Sequence, residues 1–508
     1  MIIEALIGFT FLAALVVMLA PDEYAGRLAF GLSLLPVVGS LYMWSQFDAT
    51  GNALLEGGSL AFETQVPWLT AAGYQIQWFV GVDGISLPLI VLATVLSSLA
   101  ILSAWTPIDS RQSQFFGLML FMEANLLGVF TALDFFLWFV FWEAVLVPMY
   151  FLIAIWGGPR RKYAAIKFFV YTNIASLIMF IGFMALVFNL DVNTFGLPAV
   201  AVALRSGGLS GAFGLSPTAL KTAAFAAMFL GFAVKVPVVP FHTWLPDAHV
   251  EAPTPASVML AGVLLKMGTY ALLRFNFTML PDVATQYAGV IAIFAVVSVI
   301  YGALLALAQQ DLKRIVAYSS VSSMGYVILG LVAYTQLGVG GATFQMVAHG
   351  LISGLMFMAV GVIYNVTHTR MVGDMSGMAD RMPVTVGILV AGAFGYMGLP
   401  LMAGFAAEYF IFQGAFASSV IPVAPLFTAV AMFGIVIVAG YLLLAMQRTL
   451  FGPFRLETDY EVTRAELHDT LPLMVLLLCT IALGVAPDIF FTMIKEAVTP
   501  ILAIGGGA

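Results

Sequence analysis

Runs of about twenty apolar residues recur about fourteen times along this 508-residue chain. Each can cross a hydrocarbon core of about 30 Å as a helix. They fall at 2–20, 27–45, 84–104, 115–132, 133–156, 164–189, 219–241, 254–277, 285–308, 312–334, 341–367, 385–414, 425–450 and 470–492. Lipid offers no partner to a bare peptide group, so each run must satisfy its own backbone, which a helix does. The expected fold class is an all-α polytopic membrane protein of about fourteen transmembrane helices. The composition, 62% hydrophobic and 9% charged, excludes a soluble domain. The start, MIIEALIGF, has Glu4 where a secretion signal carries basic residues, so the first run reads as a retained helix.

Against this background the few ionisable residues inside apolar runs stand out. Lys235 ends the run AAFAAMFLGFAV, and Lys266 sits in PASVMLAGVLLKMGTYALL. A lysine stem reaches only roughly 6 Å, so it cannot carry a mid-span ammonium to water. A charge there costs at least about 2.5–3.5 kcal/mol and needs a partner or a wet cavity. Pro237 and Pro240 follow Lys235 and remove two backbone donors, so the helix breaks there. Such a break must face protein or a cavity, and interrupted helices recur in ion-translocating membrane proteins. Glu143, near the middle of the fifth run, needs a cation or a proton, and Lys235 is its expected counter-ion. Glu123, in the fourth run, reads either as a second acid of the same site or as an inner-face residue bonded to a neighbouring helix. Asp134 sits where a carboxylate caps a helix start.

The polar connection HTWLPDAH places His242 and His249 beside Asp247 and Glu251. Two readings stay open: a mouth for protons, since histidine titrates near neutral pH, or polar groups that satisfy the broken helix end. His349, in QMVAHGLISGLMF, lies mid-span and reads as a relay residue. The twelfth run is interrupted by Gly398, Pro400 and Gly404, and Glu408 follows. This second break comes five spans after the first, an odd number, so the two units would lie inverted in the membrane. The expected organisation is three N-terminal helices (1–114), a five-helix repeat (115–280), an inverted five-helix repeat (281–451) and a loop with the last helix (452–508), with interruptions around Pro237 and Pro400.

One cysteine, Cys479, excludes a cysteine-held iron–sulfur cluster, and the five scattered histidines have no metal-ligand spacing. No glycine fingerprint follows a strand, so no nucleotide site is expected. Loop charge sets orientation. About thirteen Lys and Arg, including Arg160, Arg161, Lys162 and Lys313, fall in loops after odd-numbered spans, and about four (Arg205, Lys221, Arg274, Lys495) on the other side. Both termini are therefore expected outside the cytoplasm. The 46–83 loop, with no Lys or Arg and acids that include Asp83, suits the same side.

The segments FFLWFVFWEAVLVPMYFLIAIWGG, DLKRIVAYSSVSSMGY, QMVAHGLISGLMF and MGLPLMAGFAAEYF, with the Lys235–Lys266 stretch, resemble the antiporter-like M subunits of bacterial NADH–quinone oxidoreductase. These are the counterparts of mitochondrial complex I subunit four, and the likeness spans about 80–450. The resemblance implies a proton-translocating subunit of the bacterial inner membrane, with Glu143, Lys235, Lys266 and Glu408 in the relay. Glu408 favours the M type, because sister antiporter-like subunits usually carry lysine there. Ser323 stands where family members often have histidine, so any relay step through that imidazole falls to water held by Ser323 and its neighbours. The resemblance further implies no cofactor in this chain. Flavin, iron–sulfur clusters and quinone are expected in partner subunits. The expected partners are other membrane-arm subunits and lipid, and no nucleic acid. The rival readings are the D-type subunit of a multisubunit sodium/proton antiporter, or a membrane-bound hydrogenase arm. A mechanism follows as an expectation. Separating Glu143 from Lys235 costs the charged amine about 4–7 kcal/mol, which exceeds or matches the roughly 3.5–4.6 kcal/mol needed to move a proton against about 150–200 mV.

Overall fold

The computed structural model describes residues 1–503. The chain opens with α1 (Ile2–Leu19) and α2 (Asp22–Ser45), then an antiparallel hairpin of β1 (Ala61–Ala71) and β2 (Tyr74–Val82). Next come α3 (Ser86–Ser103), α4 (Gln112–Thr131), α5 (Phe135–Trp156) and α6 (Arg161–Val187). A short helix, α7 (Leu197–Arg205), precedes α8 (Pro217–Lys235), α9 (Trp244–Glu251) and α10 (Thr254–Thr278). After α11 (Pro281–Gln286) come α12 (Ala288–Leu307), α13 (Leu312–Val332) and α14 (Gln336–Thr367). The remainder is α15 (Pro383–Tyr396), α16 (Ala403–Phe416), α17 (Ala424–Leu450), α18 (Leu467–Val485) and α19 (Asp488–Val498). Among the described residues, thirteen of the spans are long and apolar enough to cross a membrane. Together α15 and α16 make a fourteenth, interrupted one. The helical membrane fold is as the sequence predicts.

Four boundaries differ, each for a local reason. The 46–83 loop contains the hairpin, closed by a two-residue turn between Ala71 and Tyr74. The seventh span ends at Lys235, not 241. The polar connection after it is itself helical, as α9. The last span stops at Val485, where Pro487 intervenes, and α19 lies apart as an amphipathic helix. Helix α7 is missing from the prediction because nine residues are too few to register as a span.

The bundle is organised around α10 and α14, whose most apolar eighteen-residue stretches are entirely buried, with those of α3 and α13 nearly so. Helix α10 is apolar on every face and so belongs at the centre. It meets α14 where two glycines face each other. A Cβ on Gly350 would lie 2.9 Å from the Gly262 carbonyl oxygen and 2.5 Å from Leu92. Only the missing side chains allow this approach, as small residues do between membrane helices.

The first break is closed by side chains. The Trp244 indole donates to the Val234 carbonyl at 2.9 Å, and the Val239 N–H donates to Ser298 Oγ at 3.0 Å. The break thus faces protein, as the lipid argument requires.

Three residues counted as loop charges in the sequence are buried. Asp83 and Arg274 form an ion pair at 2.5 Å with both side chains almost fully enclosed. Asp83 also accepts from the N–H groups of Ile85, Ser86 and Ala53. Burial works against its carboxylate, but the Arg274 guanidinium offsets this and holds it below the usual carboxylate range. Lys313 is buried too. The pair fastens the end of the hairpin to α10. Replacing Asp83 with alanine is expected to strand the Arg274 charge and destabilise the chain by about 3–5 kcal/mol. The check is the thermal unfolding midpoint in detergent, together with the amount of chain in the membrane.

Candidate functional site

The ionisable residues at the bundle centre form two groups. In the first, Lys235 closes α8 and is 2% exposed, with no hydrogen-bond partner on its Nζ among the described residues. The ammonium rests on aromatic faces, 5.2 Å from the Trp142 ring centre and 5.9 Å from that of Phe168. Such contacts are worth about 2 kcal/mol when desolvated. Glu143, the residue after Trp142, turns towards α6 and accepts from Asn173 Nδ2 at 2.8 Å. The Trp142 indole donates to Ser176 Oγ on the same helix at 2.9 Å. The direct Glu143–Lys235 ion pair expected from the sequence is therefore not formed here. Asn173 holds the carboxylate, and the indole face holds the amine.

In the second group, Lys266 Nζ lies 2.6 Å from His349 Nδ1 and donates to the Ala261 carbonyl at 2.5 Å. The far nitrogen of His349 is 3.5 Å from the Tyr396 hydroxyl. The Gly262–Gly350 approach, one turn from Lys266 and one residue from His349, sets the first of these distances. Tyr396 ends α15, immediately before the second break. The buried Tyr441 hydroxyl of α17 donates to Ser319 Oγ at 2.7 Å. Glu408, on α16, is buried with one oxygen unpartnered among the described residues. That oxygen lies against Gly398, where a Cβ would sit 2.5 Å from it, and Gly398 has φ +62°. Glycine meets both the conformation and the close approach.

The remaining sequence candidates are placed as follows. Glu123 is fully buried on α4 and neither carboxylate oxygen has a partner among the described residues. It bonds to none of the other candidate residues. His242 packs its ring edge-on to Tyr301, with ring centres 5.8 Å apart. His249 is fully buried on α9 and stacks on Phe357 at 4.4 Å. Asp247 and Glu251, beside these histidines, hold the α5–α6 loop. Asp247 pairs with Arg160 of that loop at 3.7 Å and with Lys167 of α6 at 2.7 Å, and Glu251 accepts the Arg160 N–H at 2.8 Å. His368 closes α14 in a left-handed conformation. Asp134 caps α5 by accepting from the Phe136 and Leu137 N–H groups.

Sequence reasoning missed Tyr396, Tyr441 and Asn173. The one signal was a tyrosine directly ahead of the MGLP interruption. No three His, Cys, Asp or Glu side chains converge on a metal position among the described residues.

Comparisons with known proteins agree with this architecture. The family described as NADH:quinone oxidoreductase/Mrp antiporter, transmembrane, matches residues 132–436. NAD(P)H-quinone oxidoreductase chain 4 1 of a Nostoc species is 40% identical over 462 residues, covering 89% of this chain and 81% of that one. F(420)H(2) dehydrogenase subunit M of Methanosarcina mazei is 40% identical over 418 residues, covering 82% and 80%. Respiratory complex I from Thermus thermophilus contains a chain that superposes with a TM-score of 0.87 at 26% identity, covering 100% of both chains. A chain of the Mrp complex from Dietzia sp. shares the fold, with a TM-score of 0.82 at 20% identity over 99% of this chain and 98% of that one. The chain belongs to the NADH:quinone oxidoreductase/Mrp antiporter family of transmembrane subunits.

Proposed function

We propose that this chain moves protons as a membrane-arm subunit of an NAD(P)H–quinone oxidoreductase. The observation that carries the reading is the bonded Lys266–His349 pair at the centre of the bundle, between two interrupted helices that each hold a buried ionisable residue. Groups that bind and release protons, spaced in a row inside the bundle, are the parts of a proton relay. The relatives named as quinone oxidoreductase subunits over most of the chain support the assignment.

Lys235 works by moving. Beside Glu143 the amine keeps its proton. On the Trp142 face it has only ring electrons for company and gives the proton up towards Lys266. The proton then passes through His349, Tyr396 and Tyr441 to Glu408. The two five-helix units, 115–280 and 281–451, each supply one interruption. The drive reaches Glu143 from a neighbouring membrane-arm subunit, including sister antiporter-like ones. Flavin, iron–sulfur clusters and quinone sit in partner subunits. The face with Arg160, Arg161 and Lys162 is the cytoplasmic one, so the termini lie outside, across a bacterial inner membrane.

The test is purification through an affinity tag on this chain in mild detergent. NAD(P)H:quinone reductase activity is expected to follow the tag and to acidify proteoliposomes when substrate is added. Sodium–proton exchange with no quinone reductase in the purified complex would instead identify an antiporter subunit.

A further inference from the structure

One helix supplies the contacts that keep Glu143 and Lys235 apart. Asn173 of α6 donates from Nδ2 to a Glu143 carboxylate oxygen at 2.8 Å. Ser176, about one turn further along α6, accepts the Trp142 indole N–H at 2.9 Å. Phe168, about one turn before Asn173, places its ring 5.9 Å from the Lys235 amine. Carboxylate, indole and amine are each held by the same short stretch of α6.

Donor counting gives each of these bonds its sense. A serine hydroxyl has a single hydrogen, and that of Ser176 goes to the Thr172 carbonyl at 3.0 Å. Its oxygen is left to accept from Trp142, which fixes the indole face on which the amine rests. A carboxylate only accepts, so Asn173 turns its amide nitrogen, not its oxygen, towards Glu143. The second Glu143 oxygen has no hydrogen-bond partner among the described residues, and neither has the Lys235 amine. Among those residues, the Asn173 bond is what holds the carboxylate away from the amine.

We propose that Asn173 is a positioning residue for proton transfer, setting the fraction of time for which Glu143 and Lys235 are separated. The inference rests on the reading of that pair as the start of the relay. The Asn173 bond exists only while the carboxylate points at α6. An interaction made in one of two arrangements raises the population of that arrangement. With the amide in place, the carboxylate has a partner when it leaves the amine, and Lys235 rests on the indole while it passes its proton on. Without the amide, the carboxylate needs a cation and returns to the amine beside Trp142. That amine then keeps its proton, and the relay stalls at its first step. Asn173 itself has no proton to exchange and acts only through Glu143.

Asn173→Leu and Asn173→Gln separate this role from packing. Leucine matches asparagine in shape and has no donor, whereas glutamine keeps the donor and adds a methylene. NADH-driven acidification by inverted vesicles, per assembled complex, is expected to fall about threefold or more with leucine. Glutamine is expected to restore at least about half of the wild-type rate. A side chain that only filled space would rank the two the other way, because volume-conserving exchanges are tolerated best. Asn173→Ala, which adds no atoms, takes the place of the leucine variant if that one fails to assemble, with the same expected loss. Wild-type acidification in the variant without a donor, or a glutamine variant no better than it, overturns the proposal. Lys235→Ala measured alongside locates the failure. If it too acidifies normally, the proposed function itself is wrong; if it does not, only the role of Asn173 is.

Discussion

Replacing Lys235 by alanine is expected to reduce NADH-driven proton pumping by about tenfold or more, the scale of a lost proton-transfer group. The complex should still assemble. The side chain makes no hydrogen bond whose loss would strand a partner, and its neighbours are the Trp142 and Phe168 rings. What disappears, on the proposed mechanism, is the movable charge. Moving a proton against about 150 mV needs about 3.5 kcal/mol, and no other amine in the first group can carry it. Glu143→Ala should give the same loss by removing the carboxylate that reloads the amine. The measurement is acidification of inverted vesicles with assembly checked by native electrophoresis. Full pumping in both variants removes the mechanism.

The second large effect concerns Lys266 and His349. In the proposed relay their 2.6 Å contact is a link in a series, so either Lys266→Met or His349→Ala should lower pumping by about tenfold or more. The double variant should be no worse than either single one. Groups acting as a unit show this non-additivity, whereas independent routes would multiply. A double variant with the product of the two losses would show that Lys266 and His349 serve separate paths. Gly350→Leu offers a conservative check, because it forces α14 away from α10 without touching a titratable group. Its loss of pumping should track the separation of the pair.

Much of this was readable from residues. Apolar runs gave the spans, since hydrocarbon leaves a chain few alternatives. Pro237 and the Gly398–Pro400 stretch marked the two interruptions. Lys235, Lys266, Glu143, His349 and Glu408 were visible because a charge inside an apolar run has no innocent explanation. Contacts were not readable. Glu143 and Lys235 looked like partners because opposite charges buried nearby usually pair. The sequence did not reveal that Asn173 and the Trp142 ring would claim them instead. Arg274, Asp83 and Lys313 looked like loop charges because each stands next to a span boundary. Burial there depends on the hairpin and on α9, and neither leaves a strong periodic signal.

The second interruption has a further consequence. Leu399 and Leu401 around Pro400 are exposed on the surface of this chain, while Glu408 behind them is enclosed. On the inner side the stretch rests on α18, where a Cβ on Gly484 would lie 2.3 Å from the Leu401 carbonyl oxygen. Non-helical backbone at membrane depth does not tolerate acyl chains. A neighbouring subunit has to seal this flank, so the fold of α15–α16 is complete only in the assembled complex. Extracted alone, the chain should lose order there first.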